Sequence, residues 1–482
     1  MDSSRNPVGP WATFSLASIA QLMIILDVSI INVALPSIQR GLHFSNADLQ
    51  WVVNIYVLLF GGFLLLGGRA GDLWGRRRLF MIGMVLFTTA SLFGGLAQNG
   101  GWLVAARAAQ GLGGAIISPV AFAIVTSLFP EGPQRNKAVG IYGALAGFGG
   151  ALGVLLGGVL TSGFGWQWVL FVNVPIGIIA IVLSPIFIPE SRGALARGSF
   201  DLLGAVSVTA GLLALVYGVV KAPEKGWTSG QTIGTFVLAA VLLAAFLVIE
   251  MRSSAPLLRL GIFRTRSLAV ANGLGFLAGL VIFSMFFFLS LYLQIVLGYS
   301  ALKTGLSYLP LAFMIIFTAG LASVLVTRFG FKYILAFGML LSTLGMALFT
   351  RLPLHGSYGA DILPGMLLAA AGLGFVFVPL SIAAVAGVQP AEVGLASGLI
   401  NASQQIGGAL GLAILSTIST QRFNDLIKSA RGPEAYFSSL VGGYHYAFAA
   451  STIVLAVGII LTLGLLPSDG QGAGRSIGVA AA

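Results

Sequence analysis

The chain has 482 residues, of which 8% are charged, 57% are hydrophobic and 66 are glycine. A soluble domain carries about a quarter charged residues, and a chain of this length needs a polar shell that this composition cannot build, which leaves an integral membrane protein. The lack of Cys excludes disulfides, thiolate nucleophiles and Cys-ligated metals, and three separated His (His43, His355, His445) are too few for a metal cage, so no metal or cofactor is expected.

A helix needs about 20 mainly apolar residues to cross a bilayer. Breaks at Pro, Gly and charge clusters predict fourteen spans. The first six cover 11–35, 49–68, 79–98, 101–127, 137–161 and 168–188. Two follow at 201–220 and 231–250, and the last six at 267–296, 304–327, 331–350, 361–385, 394–419 and 445–466. These apolar runs are too long for barrel strands, which alternate over about ten residues. The N-terminal stretch is too long for a signal-peptide core, contains Asp27 and lacks a cleavage site, so it reads as the first span. The segment 420–444 reads as the longest loop, either a cap over the outer mouth or a plain surface loop.

Lys and Arg orient the spans. With the N-terminus inside, 16 basic residues fall on the inner side and eight outside, and Arg107 lies within span 4. Both termini are therefore expected in the cytoplasm. The net charge of +11 is explained by topology and implies no nucleic acid.

The pentapeptide GGALG occurs at Gly149–Gly153 in span 5 and at Gly407–Gly411 in span 13, an offset of 258. Gly75-Arg76-Arg77 before span 3 is echoed by Gly330-Phe331-Lys332 before span 11, at 255. Both matches pair span n with span n+8. The expected organisation is a six-helix bundle at 1–190, a linker with two inserted spans at 191–262, and a second six-helix bundle at 263–482. Transporters are commonly built from such repeats, with the substrate site near the midplane.

Between spans 2 and 3 the chain reads Gly68-Arg-Ala-Gly-Asp72-Leu-Trp-Gly75-Arg76-Arg77-Arg78. A basic inner turn accounts for the arginines. Asp72 among them suits charge-assisted bonds to a neighbouring helix end, and the glycines let helices touch. The segment resembles the G-x-x-x-D-x-x-G-R-[RK] signature of the major facilitator superfamily. Leu103-Val-Ala-Ala-Arg107-Ala-Ala-Gln110-Gly111 is similar to that superfamily's intramembrane arginine motif. Leu26-Asp27-Val-Ser-Ile-Ile-Asn32 through Pro36 resembles the first-helix motif of its 14-span drug:proton antiporters. Trp166-Gln-Trp168-Val-Leu-Phe171-Val-Asn173-Val-Pro175 is similar to that family's W-x-W-x-F-x-N-x-P stretch, with Gln167 in place of the usual Arg, and Gly394 through Gly411 resembles its span 13. Span 5 departs: the antiporter signature G-x-x-x-G-P-x-x-G-G reads Gly149-Gly-Ala-Leu-Gly153-Val154-Leu-Leu-Gly157-Gly158, with Val154 for proline. Gly149, Gly153 and Gly157 still share one helix face, for packing alone or for gating.

The resemblance covers nearly the whole chain. It implies an all-α polytopic membrane protein with the major facilitator fold: two six-helix bundles plus two inserted central helices, fourteen transmembrane helices and both termini cytoplasmic. It also implies a multi-pass, monomeric protein of a bacterial cell membrane that exports lipophilic or cationic drugs against protons. A solute importer or facilitator on the same fold is the rival that Val154 keeps open.

Asp27 is the one acidic residue well inside a predicted span, and Arg107 the one basic residue. Span 1 runs outward and span 4 inward, so the two lie at similar depth, as a static ion pair or a proton-coupling site. A carboxylate in hydrocarbon costs at least a few kcal/mol and must face a partner or a cavity. Burial disfavours the charged form of a carboxyl group, which suits a proton carrier. Asp72, Gly75, Arg76 and Arg77 are the conformational candidates. Asn32, Trp51, Tyr56, Gln110, Phe287, Tyr292, Gln294, Asn401 and Gln404 are candidates for contacting substrate. Aromatic residues there either line a pocket or simply pack. No G-x-x-x-x-G-K-[ST] loop is present, so the chain is not an ABC-type pump, and the spans hold too few polar groups for an enzyme.

Overall fold

The computed structural model describes residues 9–45, 48–129, 133–191, 201–253, 256–388 and 392–467. Every regular element is helical. In chain order they are α1 (Pro10–Leu42), α2 (Trp51–Trp74), α3 (Arg76–Gly95), α4 (Gly100–Leu128), α5 (Pro133–Gly163), α6 (Trp168–Phe171), α7 (Asn173–Phe187), α8 (Leu202–Lys225) and α9 (Gly230–Arg252). Then come α10 (Arg266–Leu291), α11 (Ala301–Ser307), α12 (Leu309–Phe329), α13 (Phe331–Phe349), α14 (Leu363–Val385), α15 (Val393–Ser429) and α16 (Ala435–Leu465).

Among the described residues, twelve helical segments are long and apolar enough to cross a membrane. The expected fourteen differ from these by α5 and α15. At 31 and 37 residues both are long enough to span; in α15 glycines and amides dilute the apolar run, whereas of α5 only Leu152–Gly163 enters the count, as a shorter apolar helix. These are the two helices that carry GGALG.

Predicted boundaries move where proline or glycine acts. Spans 6 and 10 each divide, into α6 and α7 and into α11 and α12, with Pro175 and Pro310 near the start of the second piece. Proline lacks a donor and is tolerated in a first turn, where none is needed. The basic loop between spans 2 and 3 shrinks to one residue. Gly75 separates α2 from α3 with φ +107°, a conformation that favours glycine. Gly330 opens α13 in the same way with φ +78°, so the sequence echo is also a backbone echo. The predicted 420–444 loop is mostly helix, because α15 runs on to Ser429 and α16 begins at Ala435.

The contacts divide the chain into two compact units. The first holds residues 1–215, 234–258 and 299–308, and the second 216–233, 259–298 and 309–482. In the first unit, α5 lies against α1 along its glycine face. A Cβ at Gly149 would stand 2.8 Å from Ile25 Cγ2, and one at Gly157 2.8 Å from the Ile30 carbonyl. A Cβ at Gly153 would strike the Ser29 hydroxyl. In the second unit, α15 meets α10 through Gly407 and Gly411, where a Cβ would strike the backbone of Phe276 and Leu280. The repeated pentapeptide therefore does the same job twice, closing the fifth helix of each half onto the first. Lipid offers no hydrophobic drive for that approach, so small residues at the contact supply it through van der Waals packing.

Candidate functional site: a buried ion pair in the first unit

Arg107 lies two turns into α4 beyond a cap in which Asn99 Oδ1 accepts from Trp102 N at 2.9 Å. Asp27 lies mid-way along α1. The two side chains are 1% and 0% exposed, and Arg107 Nη1 donates to Asp27 Oδ2. Arg107 Nε donates to the Val52 carbonyl on α2 at 3.0 Å, and Nη1 also reaches Gln110 Oε1 at 3.0 Å, one turn on along α4. The guanidinium carbon lies 4.3 Å from the centroid of the Tyr56 ring. Glycines make this possible. A Cβ at Gly111 would stand 2.5 Å from the Tyr56 carbonyl and one at Gly114 3.2 Å from its hydroxyl, so α2 can press its tyrosine under the arginine.

Asp27 Oδ1 is held from the other side. Gln110 Nε2 donates to it at 3.0 Å and Asn173 Nδ2 at 2.8 Å, and both amides also donate to Ser91 Oγ, at 2.6 and 3.3 Å. Asn173 opens α7 after the short α6 turn, which fits against α3 where Gly94 and Gly95 leave room for Leu170 and Phe171. Five elements thus converge on one carboxylate. Hydrogen bonds to a charged group contribute about 1.5–3 kcal/mol each, and only such a shell makes a buried pair tolerable. Taking away one partner of a buried pair costs about 3–5 kcal/mol.

Tyr56 and Gln110, expected to contact substrate, are fully buried in this network. Asn173 and Ser91 belong to it unforeseen. Asn173 was visible as part of a motif, with nothing to say that it reaches Asp27, and Ser91 carried no signal at all. Asn32 bonds back to the Val28 carbonyl on its own helix at 3.0 Å, and Trp51 is half-buried at the start of α2.

At the α2–α3 junction, Arg76 N donates to the Ser191 carbonyl at 2.9 Å and Arg76 Nη1 to the Ala123 carbonyl at 3.1 Å. Arg77 N donates to Glu190 Oε1 at 3.2 Å, and its Nε lies 3.8 Å from Oε2. An anion at a helix N-terminus is favourable. The same carboxylate occupies the space a Cβ on Gly75 would need. Glu190 therefore takes the part of an acid facing the arginines. The side chain of Asp72, the acid expected to do so, lies outside the described residues.

In the second unit, Phe287 and Tyr292 are buried, and Tyr292 Oη donates to the Pro353 carbonyl at 2.5 Å. Gln294 and Gln404 are half-buried. Asn401 is exposed, and its amide bonds the Ser397 carbonyl at 2.8 Å.

The described residues thus define an all-helical, multi-pass membrane protein with a buried ion pair before any comparison. Residues 17–412 match the Major Facilitator Superfamily, and the chain belongs to that superfamily of membrane transporters. It is 39% identical to the puromycin resistance protein pur8 of Streptomyces alboniger over 461 residues, 94% of this chain and 91% of that one. It is 42% identical to the cephamycin export protein CmcT of Amycolatopsis lactamdurans over 410 residues, 84% of each chain. A 34% identity with the lincomycin resistance protein of Streptomyces lincolnensis covers 97% of this chain and 93% of that one. Among solved structures, an inward-facing, occupied bacterial homologue of the lysosomal transporter Spinster superposes with a TM-score of 0.66 at 16% identity, covering 93% of this chain and 95% of that one. The inward-open xylose transporter XylE of E. coli gives 0.62 at 17%, over 96% and 98%. At such identity these two share the fold and no more. The protein is a multi-pass transporter of the cell membrane.

Proposed function

We propose that this transporter exports lipophilic or cationic antibiotics in exchange for protons, by alternating access. The observation that carries the reading is the Asp27–Arg107 pair, a carboxylate buried in the membrane with a full set of donors and a titratable charge. Protonating Asp27 removes one charge from the network and so changes which conformation is favoured, and linkage then ties proton entry to substrate exit. The names of the relatives, resistance and export proteins for puromycin, cephamycin and lincomycin, support export over import. Arg107 acts with Asp27. The Gly75-Arg76-Arg77 junction, Asp72 and the glycine face of α5 (Gly149, Gly153, Gly157) serve the conformational change. Substrate meets Asn32, Trp51, Phe287, Tyr292, Gln294, Asn401 and Gln404, with Tyr56 and Gln110 joining when the pair opens. Counting α5 and α15 as spans gives fourteen, with both termini in the cytoplasm, bundles at 1–190 and 263–482, and a monomer as the working unit.

Inside-out vesicles loaded with a pH dye test this. Antiport predicts that adding cationic drugs drives protons out of an acidified lumen. Silence across a panel of cationic and neutral drugs contradicts it and favours a facilitator.

A further inference from the structure

Among the described residues, every group that hydrogen-bonds the Asp27 carboxylate is a donor. Oδ2 accepts from Arg107, and Oδ1 accepts from Gln110 at 3.0 Å and Asn173 at 2.8 Å. That shell suits an ionised carboxylate. A protonated carboxyl is itself a donor and needs an acceptor. The proton belongs on Oδ1, because Oδ2 faces the permanent charge of Arg107. Of the two amides at Oδ1, Gln110 has no acceptor to spare, since its Oε1 already takes Arg107 Nη1 at 3.0 Å. Asn173 differs: its Oδ1 is buried with no hydrogen-bond partner. Its Nδ2 serves both Asp27 Oδ1 and Ser91 Oγ. Ser91 Oγ receives bonds from two amides, which leaves its own hydroxyl hydrogen uncommitted.

We propose that Asn173 is a positioning residue whose side-chain amide reverses when Asp27 takes up a proton, so that its carbonyl accepts from the Asp27 and Ser91 hydroxyls. Asn173 then changes from a donor of two hydrogen bonds to an acceptor of two. The number of bonds is the same in both states. Only the unpartnered end of the amide changes, from carbonyl oxygen to nitrogen, so neither protonation state is locked in. The proton is simply bound at Oδ1 and later released from it.

Among the described residues, the charged or titratable groups facing Asp27 from helices packed on α1 are Arg107 on α4 and Tyr56 on α2. The tyrosine ring lies on the guanidinium and its hydroxyl has no partner. On α5, Tyr142 bonds Gln21 instead, and α3 and α7 contribute only the neutral Ser91 and Asn173. The amide of Asn173 is therefore the one adjustable neutral acceptor at Oδ1. This inference rests on Asp27 being the proton carrier proposed above.

Infrared difference spectra between acid and alkaline pH, on the purified transporter in lipid, test both readings separately. A protonated carboxyl band that vanishes in Asp27→Asn marks proton uptake at Asp27. In the wild-type protein, labelling asparagine with side-chain nitrogen-15 is expected to shift an amide band in the same difference spectrum. Asn173→Leu is expected to abolish that shift and to move the Asp27 carboxyl band to higher wavenumber, as for a carboxyl that has lost its acceptor. Ser91→Ala is expected to weaken the amide band while the Asp27 band stays. An Asp27 band with no asparagine-sensitive partner in wild type, or one unmoved by Asn173→Leu, overturns the amide reversal alone. Absence of any Asp27 band overturns the coupling proposal and this inference with it.

Discussion

The n+8 pairing aligns α1, α3, α4 and α6–α7 in the first unit with α10, α13, α14 and α16 in the second. The centres of these two four-helix sets differ in kind. In the first, Asp27, Ser91, Arg107 and Asn173 fill the space with charge and amide. In the second, the residue 258 positions after Asp27 is Met285, and it borders an apolar void of ≈ 10 Å³ with Met339, Ser342, Met346, Ala369 and Leu455. A space that size holds about one water at most, and this one offers it almost no polar partners. One helical frame thus accommodates an ionic network that must be satisfied bond by bond, and a methionine-lined core that adapts by rotamer. Among the described residues, the centre of the first set holds a buried ion pair and the corresponding centre of the second holds methionine.

The largest effect expected from testing this contrast is at Arg107. Arg107→Ala leaves a buried carboxylate alone and is expected to cost about 3–5 kcal/mol, read as a lower melting temperature in detergent. Combining it with Asp27→Asn should recover much of that loss. No recovery would mean that the two residues act independently. In the second unit, Met285→Ala enlarges the existing void and should cost about 2–4 kcal/mol, with no effect on the proton dependence of transport. A changed proton dependence would mean that the second unit also takes part in proton coupling.

The glycine contacts rank next. Gly407→Ala drives a methyl into the Phe276 carbonyl, which is backbone and cannot turn away, whereas at Gly149 the obstacle is the Ile25 side chain. Overpacking costs about 1–3 kcal/mol, with Gly407→Ala near the top and Gly149→Ala near the bottom. Equal losses would show that the two halves close on the same tolerance. The smallest effect is Glu190→Gln. The Arg77–Glu190 pair is about a third exposed on each side, at 35% and 36%, and such pairs are worth about 0–1 kcal/mol in stability.

Much of this was legible in sequence because the bilayer imposes simple rules. Long apolar runs gave the twelve segments able to cross a membrane among the described residues, and GGALG marked the helices whose contacts match, α1–α5 and α10–α15. Asp27 and Arg107 stood out because isolated charges in hydrocarbon need a partner, and each has the other. The rest of the shell was hidden because Ser, Asn and Gln are common in spans, and nothing in their spacing says which helix they face. Tyr56 and Gln110 were read as substrate contacts for that reason, since an aromatic ring or amide in a span suits a pocket wall and a buried network equally. Glu190 was missed because its partner, the start of α3, lies more than a hundred positions earlier in the chain. Helix lengths around 420–444 were misjudged because Arg422, Asn424, Asp425 and Lys428 end an apolar run without ending a helix.

Proton coupling through the buried pair is tested most directly by reconstituting Asp27→Asn and measuring two transport modes side by side. The variant is expected to exchange labelled drug for unlabelled drug across the membrane, as the wild type does, because exchange needs no net proton movement. It is also expected to accumulate no drug under an imposed proton gradient. Accumulation at the wild-type level in Asp27→Asn would contradict the account.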